Sequence, residues 1–301
     1  MINPNSPEWF QEALAVEPET FSIEVEGAKI SYLAWGKKEN PGILFVHGGM
    51  AHAHWWSFIA PFFAETHRVI AMNLSGMGDS QWREDYASEL WGKEIVEVAK
   101  HEKLTKPIIV GHSLGGMCSV VAAFQFKKDL YGLVIVDTAI MPPSKIPDKF
   151  DFKIKANKTY KSIEDAKARF RLVPSQGGSL DFIMDYIADK SLKQVEDGWS
   201  WKFDPKYMSI FTTEGFKARQ AILSDKLVAL DCRVAVLRGE KSMLFPESAG
   251  KYMHELTNKK MPIIAIPEAH HHIMVDQPLA LVAALRALVT DWDHSVPAKA
   301  E

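Results

Sequence analysis

Pro107-Ile108-Ile109-Val110-Gly111-His112-Ser113-Leu114-Gly115 is the stretch that decides the fold. Pro107 to Val110 reads as a short buried strand, and Met117-Cys118-Ser119-Val120-Val121-Ala122-Ala123-Phe124 reads as a helix. A Gly-x-Ser-x-Gly between the two is the pattern of a sharp strand-to-helix turn that presents a serine. Small residues beside Ser113 let the backbone turn without Cβ clashes, which holds the serine oxygen clear of the chain. The first N–H groups of the helix then point at any negative charge developing there. The pentapeptide also occurs in ordinary strand-to-helix turns, and two further segments separate the alternatives.

Upstream, Gly42-Ile43-Leu44-Phe45-Val46 is an apolar strand that runs into His47-Gly48-Gly49-Met50. Near the end, Ile263-Ile264-Ala265-Ile266 is another strand, followed by Pro267-Glu268-Ala269-His270-His271-His272. A glycine-rich loop, then a serine turn, then a late histidine is the chain order of the α/β-hydrolases. On these segments the sequence is identified as a member of that superfamily, and it resembles a capped, serine-nucleophile esterase or lactonase. The resemblance runs from about Phe21 to Trp292. It includes Asn73-Leu74-Ser75-Gly76-Met77-Gly78-Asp79-Ser80, similar to the Gly-x-Gly-x-Ser turn that follows a strand in that family.

The 301 residues are 47% hydrophobic and 24% charged, an ordinary globular composition. That length allows one large α/β domain with an insertion, or two domains. A formal charge of -3 leaves no basic footprint for nucleic acid and no polybasic patch for a membrane surface. The expected partner is a small molecule, and a homodimer is compatible with the composition. Cys118 and Cys232, the two cysteines, form neither a metal-type pair nor a disulfide framework. Met1-Ile2-Asn3-Pro4-Asn5-Ser6-Pro7-Glu8 is polar and acidic and lacks the regions of a signal peptide. No apolar stretch approaches the ~20 residues needed to span a bilayer. A reducing, cytoplasmic setting is the expectation.

Alternation in Phe21–Glu26 and Lys29–Ala34, with Gly27 between, predicts an antiparallel hairpin. Strands and helices then alternate: Ile43–His47, a helix near Trp55–Glu65, Arg68–Asn73, a helix near Ala87–Lys100, Ile108–Ser113, a helix near Leu114–Lys127, and Gly132–Asp137. This rhythm predicts an α/β fold, a mostly parallel central sheet with helices on both faces. Leu133–Val136 and Val234–Leu237 are continuously apolar, as strands covered on both sides must be. Between about Ala139 and Thr213 the rhythm breaks, and Ile163–Phe170 and Leu180–Val195 read as helices. The resemblance implies a helical cap here, inserted after the sixth strand. The expected organisation is core over 1–138, cap over 139–215 and core over 216–301. Residues 1–20 and the tail after Asp293 are expected to be peripheral.

A serine hydroxyl needs a base to take its proton. In the family the base follows the last strand, seven residues before a proline. Counting back from Pro278 gives His271, with His270 at the usual glycine position and His272 beyond it. His47 is expected to order its own loop, and His112 is the variable residue of the serine turn. A metal reading of His270-His271-His272 is disfavoured, because adjacent side chains point apart and no further ligands cluster nearby in sequence. Neither a cofactor nor a metal is expected.

The acid departs from the family pattern. Its usual place follows Val234–Leu237, where the chain reads Arg238-Gly239-Glu240-Lys241-Ser242-Met243-Leu244-Phe245-Pro246. The expected aspartate falls at Ser242 or Met243, and neither can orient an imidazolium. Asp137, at the end of the preceding core strand, is the substitute candidate, since catalytic residues of parallel sheets gather at the carboxyl ends of strands. Glu240 is the alternative, and a Ser–His dyad without an acid is the third. Two N–H donors near the developing charge are worth roughly 2.7–4 kcal/mol each. The serine turn supplies the Leu114 amide, and the family match points to Gly49, with Met50 as the fallback.

A serine at this turn, in place of a carboxylate, excludes the epoxide-hydrolase and dehalogenase chemistry of related chains. Acyl transfer to serine and then to water is what the residue type allows. Trp55, Trp56, His112, Trp199 and Trp201 are candidate substrate-binding residues. The apolar, aromatic insertion points to a small or medium hydrophobic ester or lactone. Arg169 and Arg171 could meet a substrate carboxylate but read better as a solvated helix face. Carbon–carbon bond hydrolysis of a ring-cleavage product, and a hydrolase-fold receptor with little turnover, are the alternatives.

Overall fold

Continuous runs of branched apolar residues become strands buried on both faces. A computed structural model describes residues 4–126, 129–146 and 156–294. Strands β1 (Glu19–Val25) and β2 (Ala28–Trp35) form the predicted antiparallel hairpin. Then come β3 (Pro41–Val46), β4 (Arg68–Met72), β5 (Thr105–His112), β6 (Gly132–Val136), the short pair β7 (Leu192–Val195) and β8 (Gly198–Trp201), β9 (Arg233–Gly239) and β10 (Ile263–Ile266). The main sheet has the order β1-β2-β4-β3-β5-β6-β9-β10 and is parallel from β4 onward. The chain runs from β3 to β4 on one side and then returns to β5 on the other. That reversal is the switch point where open α/β sheets leave a crevice at the carboxyl ends of their strands.

The helices are α1 (Glu8–Ala15), α2 (Ser88–His101), α3 (Leu114–Phe126), α4 (Ile163–Lys167), α5 (Asp181–Lys190), α6 (Thr213–Val228), α7 (Glu247–Leu256), α8 (Ile273–Asp276) and α9 (Pro278–His294). Alternate strand residues feed two apolar clusters. Leu44, Val46 and Ile109 pack with α2, α3, α6 and α7, while Ile43, Phe45 and Val110 pack with α1, α5, α8 and α9. Each such side chain contributes about 1.5–3 kcal/mol by leaving water. No helix among the described residues is long and apolar enough to cross a membrane.

Several expectations change. The helix expected near Trp55–Glu65 is two 3-10 turns, Ala53–Trp56 and Ala60–Phe63, because Pro61 has no N–H with which to continue a helix. The helix expected over Leu180–Val195 stops at Lys190, and Leu192–Val195 pairs with Gly198–Trp201 instead. Gly198 permits that turn: its φ is 138°, and a Cβ there would meet the Tyr160 carbonyl oxygen at 2.1 Å. The insertion after β6 is therefore not wholly helical, and position 216 falls inside α6 rather than at a boundary. The segment before β1 is not wholly peripheral either. Phe10 of α1 is 1% exposed and packs on Phe58 and on Phe182 of the insertion, with ring centroids 5.4 and 4.9 Å away. Lys127, residues 147–155 of the insertion and the tail from 295 lie outside the described residues.

Candidate active site

Ser113 stands alone between the end of β5 and the start of α3, with φ 53°. A non-glycine residue in this left-handed region costs about 1–3 kcal/mol and persists only where its surroundings hold it. Here they do. The Ser113 N–H donates to the Val136 carbonyl at 3.1 Å, and Thr138 Oγ1 donates to the Ser113 carbonyl at 2.9 Å. The flanking glycines serve close packing: a Cβ on Gly111 would lie 2.3 Å from Ser119 Oγ, and one on Gly115 2.3 Å from the His47 carbonyl oxygen.

His271 meets this serine from the loop between β10 and α8. Its Nε2 lies 3.0 Å from Ser113 Oγ, and its Nδ1 lies 2.7 Å from Asp137 Oδ2. A carboxylate only accepts, so Nδ1 carries the proton and Nε2 presents a lone pair to the serine hydroxyl. Asp137 is 1% exposed, at φ 46° just beyond β6. Its Oδ1 accepts the Gly239 N–H at 2.7 Å, and its Oδ2 also accepts Ser242 Oγ at 2.5 Å. Glu240 is exposed and turns away, accepting the Glu268 N–H at 3.0 Å. His270 pairs with Asp276, at 2.9 Å. The structure thus brings Ser113, His271 and Asp137 together and leaves Glu240 and His270 outside.

Two buried imidazoles, those of His112 and His272, flank His271. His112 donates from Nε2 to the His271 carbonyl at 3.0 Å. Burial holds His112 well below the usual histidine range and brings His272 down to about 3. The rings of His271 and His272 are 4.7 Å apart, so these neighbours do not point apart as the sequence alone implied. His112, His271 and His272 bring one ring nitrogen each to within 4.8 Å of one another. A transition-metal ion could join all three only by taking the His271 Nε2 lone pair away from Ser113. His47 has a role that its position in the motif only hinted at. Its Nδ1 donates to the Gly48 carbonyl at 2.7 Å, and its Nε2 accepts the Leu74 N–H at 3.1 Å. Burial lowers its pKa to about 4, which keeps Nε2 an acceptor.

A cavity of about 460 Å³ opens above Ser113. Gly48, Gly49, Met50, Trp55, Leu114, His112, His271 and His272 line its base, and Val173, Pro174, Tyr207, Met208, Phe211 and Phe216 come from the inserted segment and α6. Helix α3 leaves the Leu114 N–H without an intrahelical acceptor. Trp56, Trp199 and Trp201 are not among the lining residues, contrary to expectation. Trp56 stacks on Phe45 in the core at 4.7 Å. Trp199 bridges to Tyr160, and Trp201 packs on Tyr160 and Phe170. Arg169 and Arg171 do not line the cavity. Sequence reasoning missed Ser242 as a donor to the carboxylate, and it missed Tyr207 altogether. An Asp-Pro helix-start signal at Asp204-Pro205 was the one available hint that Tyr207 would be held in place.

The esterase Rv0045c of Mycobacterium tuberculosis is 26% identical over 280 residues, covering 88% of each chain. An uncharacterized hydrolase of Bacillus subtilis, YugF, is 23% identical over 240 residues, 76% of this chain and 83% of its own. The crystal structure of E-2-(acetamidomethylene)succinate hydrolase superposes with a TM-score of 0.77 at 18% identity, covering 91% of this chain and all of that one. A sequence family described as the alpha/beta hydrolase family matches residues 43–285. With that match across most of its length, this chain belongs to the alpha/beta hydrolase family.

Proposed function

We propose that the chain is a serine hydrolase that cleaves a small or medium hydrophobic carboxylic ester or lactone through an acyl-enzyme on Ser113. One observation carries this: a single imidazole joins Ser113 Oγ at 3.0 Å and a buried carboxylate at 2.7 Å. Ser113 Oγ attacks the carbonyl carbon while His271 Nε2 takes its proton. Asp137 fixes the tautomer and stabilises the imidazolium that forms. The carbonyl π pair moves to oxygen, where the Gly49 and Leu114 amides receive the charge. As the carbonyl re-forms, His271 returns its proton to the departing alkoxide. Water then repeats the sequence on the acyl-enzyme.

The substrate class rests on the cavity walls. Met141, Val173, Met208, Phe211, Phe216 and Leu244 favour an apolar acyl or aryl group. Residues 139–215 act as the cap in this reading. The 26%-identical esterase supports ester hydrolysis as the reaction class. The free thiols Cys118 and Cys232 suit a reducing, cytoplasmic setting. The test is a panel of p-nitrophenyl esters of increasing acyl length with wild type and Ser113→Ala. Turnover that vanishes in Ser113→Ala supports the assignment, and turnover that survives at equal purity removes it.

A further inference from the structure

Tyr207 is 2% exposed and lines the cavity, and its hydroxyl, which makes no hydrogen bond with the described residues, reaches the cavity space rather than being sealed in the core. Buried phenols ordinarily find a partner. This one is held firmly in place. Tyr207 sits in the 3-10 turn Pro205–Ile210, whose cap Asp204 accepts the Lys206 N–H at 3.0 Å and the Tyr86 hydroxyl at 2.8 Å. The Asp204 N–H donates to the Gly76 carbonyl at 2.7 Å, tying the turn to the core. The phenol ring packs against Trp91 and Phe211.

The hydroxyl points at Gly49. A Cβ on Gly49 would lie 2.8 Å from Tyr207 Oη. Gly49 is not in the left-handed region, whereas Met50 beside it is, at φ 60°. Backbone conformation therefore does not require glycine at 49; the space under the hydroxyl does. The preceding glycine faces the nucleophile: a Cβ on Gly48 would lie 3.2 Å from Ser113 Cβ. Consecutive Cα atoms are about 3.8 Å apart, so the serine and the phenol flank adjacent steps of one loop and can reach one ester group.

We propose that the Tyr207 hydroxyl donates a hydrogen bond to the oxyanion formed when Ser113 attacks, joining the Gly49 and Leu114 amides. This rests on the reading of Ser113 as nucleophile. No proton is transferred from the phenol: the Ser113 proton goes to His271 Nε2, and the charge on the carbonyl oxygen is shared among three donors. Burial raises the Tyr207 phenol above its ordinary range, so it remains a donor at neutral pH and above. The donor comes from the inserted segment, so the site is complete only with that segment seated.

Tyr207→Phe removes the oxygen and keeps the ring. With p-nitrophenyl butyrate, kcat should fall about ten- to hundredfold, toward the loss typical of one oxyanion donor, while KM stays near wild type. The inhibition constant of an alkyl trifluoromethyl ketone, which forms a tetrahedral oxyanion on the serine, should rise by the same factor. The thermal midpoint should not move. An unchanged kcat with an unchanged ketone constant would overturn the proposal, and so would a rise in KM alone, which would mark ground-state contact only. Ser113→Ala is run alongside. If it stays active, the nucleophile reading fails and takes this proposal with it. If it is dead while Tyr207→Phe is silent, this proposal alone fails.

Discussion

Ser242 Oγ donates to Asp137 Oδ2 at 2.5 Å across 105 residues of chain. Ser242 lies after β9 and is, with Met243, one of the two positions at which the resemblance led an acid to be expected. Asp137 comes from β6, the neighbouring strand, with Val136 in register with Leu237. The two strand ends converge on one point beside His271 Nδ1. A carboxylate supplied by the end of β6 and a hydroxyl supplied by the loop after β9 thus meet in one hydrogen bond beside the imidazole.

Asp137→Asn should keep the shape and favour the wrong imidazole tautomer. The matching change in a serine protease lowers turnover by ~10⁴, so steady-state kinetics should show a loss of at least about a hundredfold. Adding Ser242→Asp should restore part of the rate, because the new carboxylate starts beside the same nitrogen. Glu240→Gln should be nearly silent. A severe Glu240→Gln and a mild Asp137→Asn would reverse the assignment.

Ser242→Ala removes a donor to a buried carboxylate. Hydrogen bonds to charged groups contribute about 1.5–3 kcal/mol, so denaturant melts should show a stability loss of that size. Turnover should fall far less than in Asp137→Asn, since Gly239 and His271 still hold the carboxylate.

His47→Phe keeps an aromatic ring but leaves the Leu74 N–H without a partner and the Gly48 carbonyl with only the Ala51 N–H, at 3.3 Å. An unpaired buried group costs about 1–3 kcal/mol. Chemical denaturation should register the loss, and kcat should fall with it, because the loop carrying Gly49 loses its anchor. Wild-type kinetics in this variant would mean that the loop is held by other contacts.

Buried histidines should make the fold acid-sensitive. His47 and His272 have pKa values lowered from 6.5 to about 4 and about 3 by burial. Between those values and 6.5 the unfolded chain binds more protons than the folded one. Stability is therefore complete above about pH 6.5 and declines as pH falls through that window, by about 1.4 kcal/mol per pH unit for each such histidine. Thermal midpoints measured from pH 7 down to about pH 4 should fall, and His272→Phe should flatten the slope. A level profile in wild type would contradict the burial of these rings.

Much of the fold was legible because its signals are local. Continuous apolar runs marked β3, β5, β6 and β9, and the glycines around Ser113 marked the turn. Spacing from Pro278 singled out the histidine that lies against Ser113, and Asp137 could be reached by noticing an unsuitable residue at Ser242. What was hidden depends on contacts between distant segments. Leu192–Val195 has helical spacing on paper, but pairing with Gly198–Trp201 decides its conformation. Trp56, Trp199 and Trp201 are as aromatic as Trp55, and only the position of the cavity separates them. Phe10 and Tyr207 are ordinary aromatics until their partners, 172 and 158 residues away in Phe182 and Gly49, are known.

A nucleophilic Ser113 can be trapped covalently, because a fluorophosphonate phosphonylates a serine whose proton an adjacent base removes. Wild-type protein is treated with a fluorophosphonate and analysed by intact mass spectrometry, followed by peptide mapping. One phosphonyl group per chain, located on Ser113 and absent in Ser113→Ala, is the expected result. Labelling should slow sharply in His271→Ala, where no base remains to take the serine proton. A label on another residue, or labelling that persists in Ser113→Ala, would contradict the account.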